Sequence, residues 1–495
     1  MGDIEKEISS LVSSAAMVFI GAAIGAGTTL IERIIIGRNV TPSTYGDISV
    51  GLAIISFASI LSLLGMKQGL PRQISRQESK QRIADISSFG TMIVLLSSVS
   101  TVAILFITRP FFLSRLFDGE IPNYIQYFLF TIPFIVMLEI GVSIARGLEI
   151  TWYRALLRDI VYPVLRISLI VLLILFGFTK QSVSISYLIS AMILAVVIYS
   201  TLISKFRHHI RVPKFETNVL LFSLPLVISS AASILLTKSD TLLIGFYLPS
   251  AYVGYYEAAY PIANGLIIIL SSFGFLYLPM ISRLDANDQI SEIQRIYQLV
   301  TKWVFIATFP LFATIIIFSE EILSLIFGSE YSSGSIVLII LAVGFFTNAA
   351  AGRNRETITA LGFPQVELYL NLFAFTLNIV LNVILIPIFG IIGAAGSSAL
   401  SFLFVNAAST MFLYNKYDII PVSKNGIKIM IILPLMIIPV SVLVFKSFSI
   451  DIIGIAIYTI VCYAITLLIA IILGGISPLE EDIILEIQSK ISQTN

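Results

Sequence analysis

Charge is scarce in this 495-residue chain: Asp, Glu, Lys and Arg make up 12% of it, against about 25% in an ordinary soluble protein. Hydrophobic residues account for 57%. No soluble core hides that much apolar surface, so the surrounding solvent must be lipid. Cysteine is nearly absent. The single thiol, Cys462, makes neither an intramolecular disulfide nor a metal site, which argues against redox chemistry. Histidine is as rare, and His208 and His209 sit in a basic loop without the company of other metal ligands. There is no G-x-x-x-x-G-K-[ST] loop for ATP. Energy must therefore come from an ion gradient, the membrane potential or later consumption of a product. Long polar loops are also missing, which excludes the catalytic outer domain of a membrane glycosyltransferase or polymerase. The composition implies no enzyme, no catalytic residues, no metal, no cofactor and no nucleic-acid partner. The first ten residues, MGDIEKEISS, lack the basic start and cleavage site of a signal peptide, so the first hydrophobic run is expected to be retained.

What is present is a succession of apolar runs. A spanning helix takes about 20 mostly apolar residues. Such runs fall at 11–36, 45–66, 89–108, 122–145, 158–178, 183–204, 217–247, 252–281, 298–319, 333–352, 366–387, 391–414, 427–445 and 451–474. The expected fold class is an all-α integral membrane protein of about 14 transmembrane helices. An even number of spans puts both termini on one side. With the N-terminus inside, 22 of the 30 lysines and arginines fall on the cytoplasmic side, five of them at Lys67, Arg72, Arg76, Lys80 and Arg82. The positive-inside rule therefore predicts cytoplasmic termini. The stretches 71–88 and 291–300 read as amphipathic helices lying on the inner face.

The chain also contains itself twice. Shifted by 208 residues, ERIIIGRNVTPSTYGD (32–47) lies over DTLLIGFYLPSAYVGY (240–255), so that Glu32 meets Asp240, Gly37 meets Gly245 and Gly46 meets Gly254. Leu70-Pro71 falls on Leu278-Pro279 in the same register, and Ile74-Ser75-Arg76 matches Ile281-Ser282-Arg283 one residue out of it. Further on, ARGL (145–148) faces ALGF (360–363), and LLILFGF (172–178) faces VILIPIFGI (383–391). Matches in one order with similar spacing imply two parallel six-helix repeats. The expected organisation is an N-lobe at 1–215, a C-lobe at 216–416, and helices 13 and 14 with a tail at 417–495. Such pseudo-symmetric halves are characteristic of transporters that rock two lobes about a site at the membrane midplane.

Three stretches carry a more specific resemblance: 371–402 (NLFAFTLNIVLNVILIPIFGIIGAAGSSALSF), 222–259 and 37–50. Together with the repeats, they resemble polysaccharide flippases of the multidrug/oligosaccharidyl-lipid/polysaccharide exporter superfamily, along nearly the whole chain. The resemblance implies two lobes around a central cavity in the plasma membrane. It also implies export of a lipid-linked oligosaccharide, which a glycan polymerase or oligosaccharyltransferase machinery would use next. A monomer is expected. The alternatives are an ion-coupled multidrug or small-molecule antiporter of the same superfamily and a peptidoglycan-precursor flippase.

An ionisable side chain inside a span normally faces an interior cavity, because facing lipid costs about 3 kcal/mol or more. Arg33 and Lys238, near the ends of the first helix of each repeat, are the candidate cations for the carrier's pyrophosphate. Glu32 and Asp240 would hold those cations or bind a coupling ion, H+ or Na+, as first-helix carboxylates do in the superfamily. The competing reading is that both pairs cap their helices at the headgroups. Arg166 and Glu139 lie deep enough to line a cavity, and Glu139 would pair with Arg166 or Arg146. Glu257 stands in YYEAAY, whose tyrosines suit either sugar stacking or an interfacial belt. Asn371, Asn378 and Asn382 share one helix face, and Asn378 would touch sugar or bind a neighbouring helix. Gly21 and Gly25 form a small-residue packing face, as does 390–398. At the inner mouth, Arg72, Arg283, Arg353 and Arg355 would attract an anionic head.

Overall fold

The computed structural model describes residues 27–206, 216–272, 274–447 and 451–474, and these are helical apart from short connections. The Gly21/Gly25 packing face and the histidine pair lie outside the described residues. In chain order the first helices are α1 (27–39), α2 (Pro42–Ser62), α3 (Met66–Ser75), α4 (Lys80–Ile107), the short α5 (Ser114–Leu116), α6 (Ile125–Gly147), α7 (Tyr162–Leu175), α8 (Ser182–Phe206) and α9 (Thr217–Tyr247). Then come α10 (Ser250–Asn264), α11 (Ile267–Ser272), α12 (Gly274–Asp285), α13 (Ile290–Ile317), α14 (Ser319–Phe327), α15 (Ser335–Ala351) and α16 (Asn354–Ala360). The last four are α17 (Pro364–Phe389), α18 (Ile391–Tyr417), α19 (Lys424–Ser447) and α20 (Ile452–Gly474). Among the described residues, nine helical stretches have the length and apolarity to cross a membrane. The protein is a multi-pass membrane protein.

Local chemistry explains the interruptions. Thr41 caps α2 by accepting from the Thr44 amide at 3.4 Å, and Pro42 follows at the first helical position, where a missing N–H costs nothing. The run expected at 252–281 is interrupted after α10, at Gly265 and Leu266, four residues beyond Pro261. The run expected at 158–178 starts earlier, with a π-helical segment, Tyr153–Val161, leading into α7. The stretch expected as one surface helix at 71–88 is split, with 71–75 closing the separate short α3, and no separate helix is found at 291–300. Residues 80–88 are the first turns of α4 and 291–300 those of α13, each a continuous 28-residue helix. At 1.5 Å per residue such a helix is about 42 Å long, so a polar start projects beyond the ~30 Å hydrocarbon.

The described residues fall into two compact units divided between Glu257 and Ala258, inside α10. In the first unit α6 packs against α2, α3, α4 and α8, while α9 packs against α2 and α3. Ile48, Val50, Ile132, Val136 and Ile198 are buried in its core. The repeat-related glycines Gly46 and Gly254 meet where α2 and α10 begin. A Cβ on Gly46 would lie 1.7 Å from the Ser250 carbonyl oxygen, and one on Gly254 would lie 2.0 Å from that of Pro42. Pro42 and Ser250 are themselves related by the 208-residue shift, so the contact is reciprocal. Only glycine allows backbones this close.

In the second unit α13, α19 and α20 share a core of Phe305, Phe309, Leu433, Tyr458 and Cys462, which leaves the lone thiol inside apolar packing. Nearby, α17 and α18 are tied by Asn378, which donates to Ser398 Oγ at 3.1 Å and accepts from Asn382 at 3.1 Å.

Candidate functional site

A cavity of about 600 Å³ opens in the first unit, within the size range of small-molecule sites. Its longest wall is one face of α2, where Tyr45, Ser49, Leu52, Ser56 and Ser59 recur at alternating spacings of four and three. That stripe runs about 21 Å at helical rise. The charged wall comes from α1, α3, α6, the Tyr153–Val161 segment, α7 and α9, with Glu257 from the middle of α10. Six basic and four acidic side chains line the cavity. They fall into two groups.

The first group centres on Glu257 and Glu32. Arg33 donates to Glu257 Oε2 at 2.9 Å, Lys238 Nζ lies 3.6 Å from Oε1, and Thr241 donates to the same carboxylate. The Glu257 side chain is 5% exposed, whereas Arg33 and Lys238 keep 25% and 22% of theirs open. Arg166 donates to Glu32 through Nε, at 2.9 Å, and through Nη2. Its guanidinium lies 4.3 Å from the Tyr187 ring centroid and 5.0 Å from that of Tyr162, within cation–π range. The second group centres on Glu139 and Asp159. Lys67 Nζ is 2.7 Å from Glu139, and Arg158 reaches Glu139 at 2.9 Å and Asp159 at 3.0 Å. Arg154 lies 3.7 Å from Asp159.

The expected pairing within each first helix does not occur, for a geometric reason. Successive helical residues point about 100° apart, so Glu32 turns to Arg166 while Arg33 turns to Glu257, 224 residues away. Residues two apart face nearly opposite sides. Lys238 thus lines the cavity, and Asp240 instead accepts from Tyr256 at 2.5 Å. The pairing of Glu139 with Arg166 or Arg146 is replaced by Lys67 and Arg158, and Arg146 is exposed.

The arginines expected at the inner mouth separate into different environments. Arg72 is exposed and sits 4.4 Å from the Phe222 ring centroid, and Arg283 is exposed. Arg353 is buried: it donates to the Leu270 carbonyl in the last turn of α11 and to Glu356 at 2.9 Å. With both contacts inside the protein, it is not a surface attractor. Arg355 is half-buried, with its amide donating to Asn354 at 2.7 Å. Asn378 serves as a link between helices. The tyrosines lining the cavity are Tyr45, Tyr162 and Tyr187, in place of those around Glu257. Lys67, Arg154, Arg158 and Asp159 were legible only as charges near a loop. Their signal is the helical spacing 154, 158, 162, 166, which puts three arginines and a tyrosine on one face. Among the described residues no cluster of His, Cys, Asp and Glu has the makings of a metal site.

Residues 35–336 match the family described as "Polysaccharide biosynthesis protein", well over half of the chain. The chain belongs to that family. It is 25% identical over 394 residues to the probable low-salt glycan biosynthesis flippase Agl15 of Haloferax volcanii, covering 79% of this chain and 81% of the relative. Its fold is similar to that of the lipid II flippase MurJ in an inward closed conformation, with TM-score 0.69, 14% identity, and coverage of 93% of this chain and 98% of MurJ. An inward-facing multidrug resistance transporter of the MATE family, in the MOP superfamily, superimposes with TM-score 0.62 at 15% identity, over 79% of this chain and 94% of that one.

Proposed function

We propose that this family member is a flippase. It moves a lipid-linked oligosaccharide, a sugar chain on polyprenyl phosphate or diphosphate, from the cytoplasmic to the outer leaflet by alternating access. The product feeds surface polysaccharide or glycoprotein glycan assembly. The polar head of such a molecule cannot cross hydrocarbon unaided, while its tail stays in lipid, so the protein must provide a polar path beside an apolar one. The observation that carries the reading is the convergence of Arg33 and Lys238, one from the first helix of each expected repeat, on Glu257 inside a polar cavity. Glu257 stands where a phosphate would stand, an anion held by two partly open cations. Charge-assisted contacts of this kind recognise phosphate well. The name of the Haloferax volcanii relative supports the same reading.

Within this proposal the membrane is the plasma membrane, both termini are cytoplasmic, and the exposed Arg72 and Arg283 draw the anionic head toward the protein. Coupling to H+ or Na+ through Glu32 and Asp240, action as a monomer, and delivery to a polymerase or oligosaccharyltransferase belong to it as well. The test is flipping of a fluorescent, short-chain prenyl-diphosphate sugar in proteoliposomes. Arg33→Ala and Lys238→Ala are each expected to slow flipping at least ~10-fold, the cost of about one charge-assisted hydrogen bond. Wild-type rates in both variants overturn the assignment.

A further inference from the structure

The second group of charges is not needed to hold a phosphate at Arg33 and Lys238, and its composition is unusual for a structural ion pair. Two carboxylates, Glu139 and Asp159, are met by three cations, Lys67, Arg154 and Arg158. The carboxylate side chains are only 12% and 6% exposed, while the three cations are between 42% and 50% exposed. The acids are thus the buried base of the cluster, and the surplus positive charge faces the cavity. A guanidinium carries five N–H donors and an ammonium three, so each cation keeps donors beyond those its carboxylate uses.

Spacing decides what such a cluster can hold. Arg158, in the π-helical segment, and Arg166, in α7, lie eight residues apart along the wall, on the order of 10 Å at helical rise. The two phosphorus atoms of a diphosphate share a single bridging oxygen, so a diphosphate is shorter than that separation. Between the two groups the wall carries Ser59 and Tyr162. The Ser59 hydroxyl is buried without a hydrogen-bond partner, and the Tyr162 ring lies against the Arg166 guanidinium. The first sugars of a lipid-linked glycan would occupy this interval.

We infer that Lys67, Arg154 and Arg158 form a second anion site that receives an acidic group carried by the glycan itself, a carboxylate or a sulfate ester, at least one sugar removed from the lipid phosphate. The inference rests on the proposed flippase function and narrows its cargo to acidic oligosaccharides.

The test measures binding of three short-chain prenyl-diphosphate disaccharides to the purified full-length protein: one ending in a hexuronate, its neutral methyl ester, and a sulfated analogue. The wild type is expected to bind the hexuronate or the sulfated compound at least tenfold more tightly than the ester, and which of the two it prefers identifies the acid. Lys67→Gln and Arg154→Gln are expected to bring that affinity down toward that of the ester. Arg154→Gln leaves Glu139 with both its partners, so loss of preference in that variant is not explained by misfolding. Equal wild-type affinity for acidic and neutral compounds overturns the inference alone, as does a preference that survives both substitutions. Failure of all three compounds to bind the wild type overturns the flippase reading and the inference with it.

Discussion

In the register that sets Ala145 on Ala360, Glu139 of the first repeat falls on Asn354 of the second. Glu139 anchors Lys67 and Arg158 at the edge of a cavity. Asn354 is 1% exposed and donates to the Asn406 backbone carbonyl at 3.1 Å, while Asn406 donates to Thr347 at 3.0 Å and to Asn348 at 3.3 Å. The same place in the repeat thus carries a charge in one unit and an amide network in the other. A carboxylate needs cations, and those cations need water at their outer ends, which the cavity supplies. Amides satisfy one another in a dry interior, where a fully connected network strengthens each bond. At this one position the first repeat contributes to the cavity wall and the second to packing.

Moving the charge across is the severest way to break this comparison. Asn354→Glu puts a carboxylate into the amide network, and a loss of about 3 kcal/mol or more is expected, seen as a sharp fall in folded protein and in thermal midpoint in detergent. An unchanged midpoint shows that the second unit tolerates charge as well as the first. Removing a cation from the first unit comes next. Arg166→Ala leaves Glu32, which is 2% exposed, without its guanidinium. A cost of about 3 kcal/mol is expected, and adding Glu32→Gln should recover most of it. If the double variant is no more stable than the single, the pair does not act as a unit. The smallest effect belongs to a bridge away from the cavity. Arg82 and Glu216 are 2.8 Å apart, with the arginine half exposed, so Arg82→Ala should change stability by less than about 1 kcal/mol. A larger loss means that the link between α4 and the start of α9 matters more than exposure suggests.

How legible this was in the sequence depended on range. Glu32, Arg33, Arg166, Lys238 and Glu257 were recognisable as cavity candidates because a charge in an apolar run is conspicuous. Their partners were not. Each of these ion pairs joins side chains from different helices, and nothing near Arg33 in the chain points to Glu257. Arg158 and Asp159 escaped notice because they lie at the margin of an apolar run, where a charge looks like a loop residue. The π-helical segment that brings them onto the wall has no marker as plain as proline. Arg353 shows the opposite case: a basic residue between helices resembles a surface residue, and only the tertiary contacts with the Leu270 carbonyl and Glu356 give it a reason to be buried.

The sequence by itself determined that the solvent is lipid, that the chain is helical, where most of its helices lie, and that it repeats. These follow from composition and short-range periodicity, because hydrophobic burial is non-directional and helical hydrogen bonds reach only four residues. Tertiary structure alone decided which charge meets which, because an ion pair depends on direction and distance between helices far apart in the chain. It turned Glu32 away from Arg33, gave Arg33 to Glu257, and brought Lys67 of α3 to Arg154 and Arg158 of the π-helical segment.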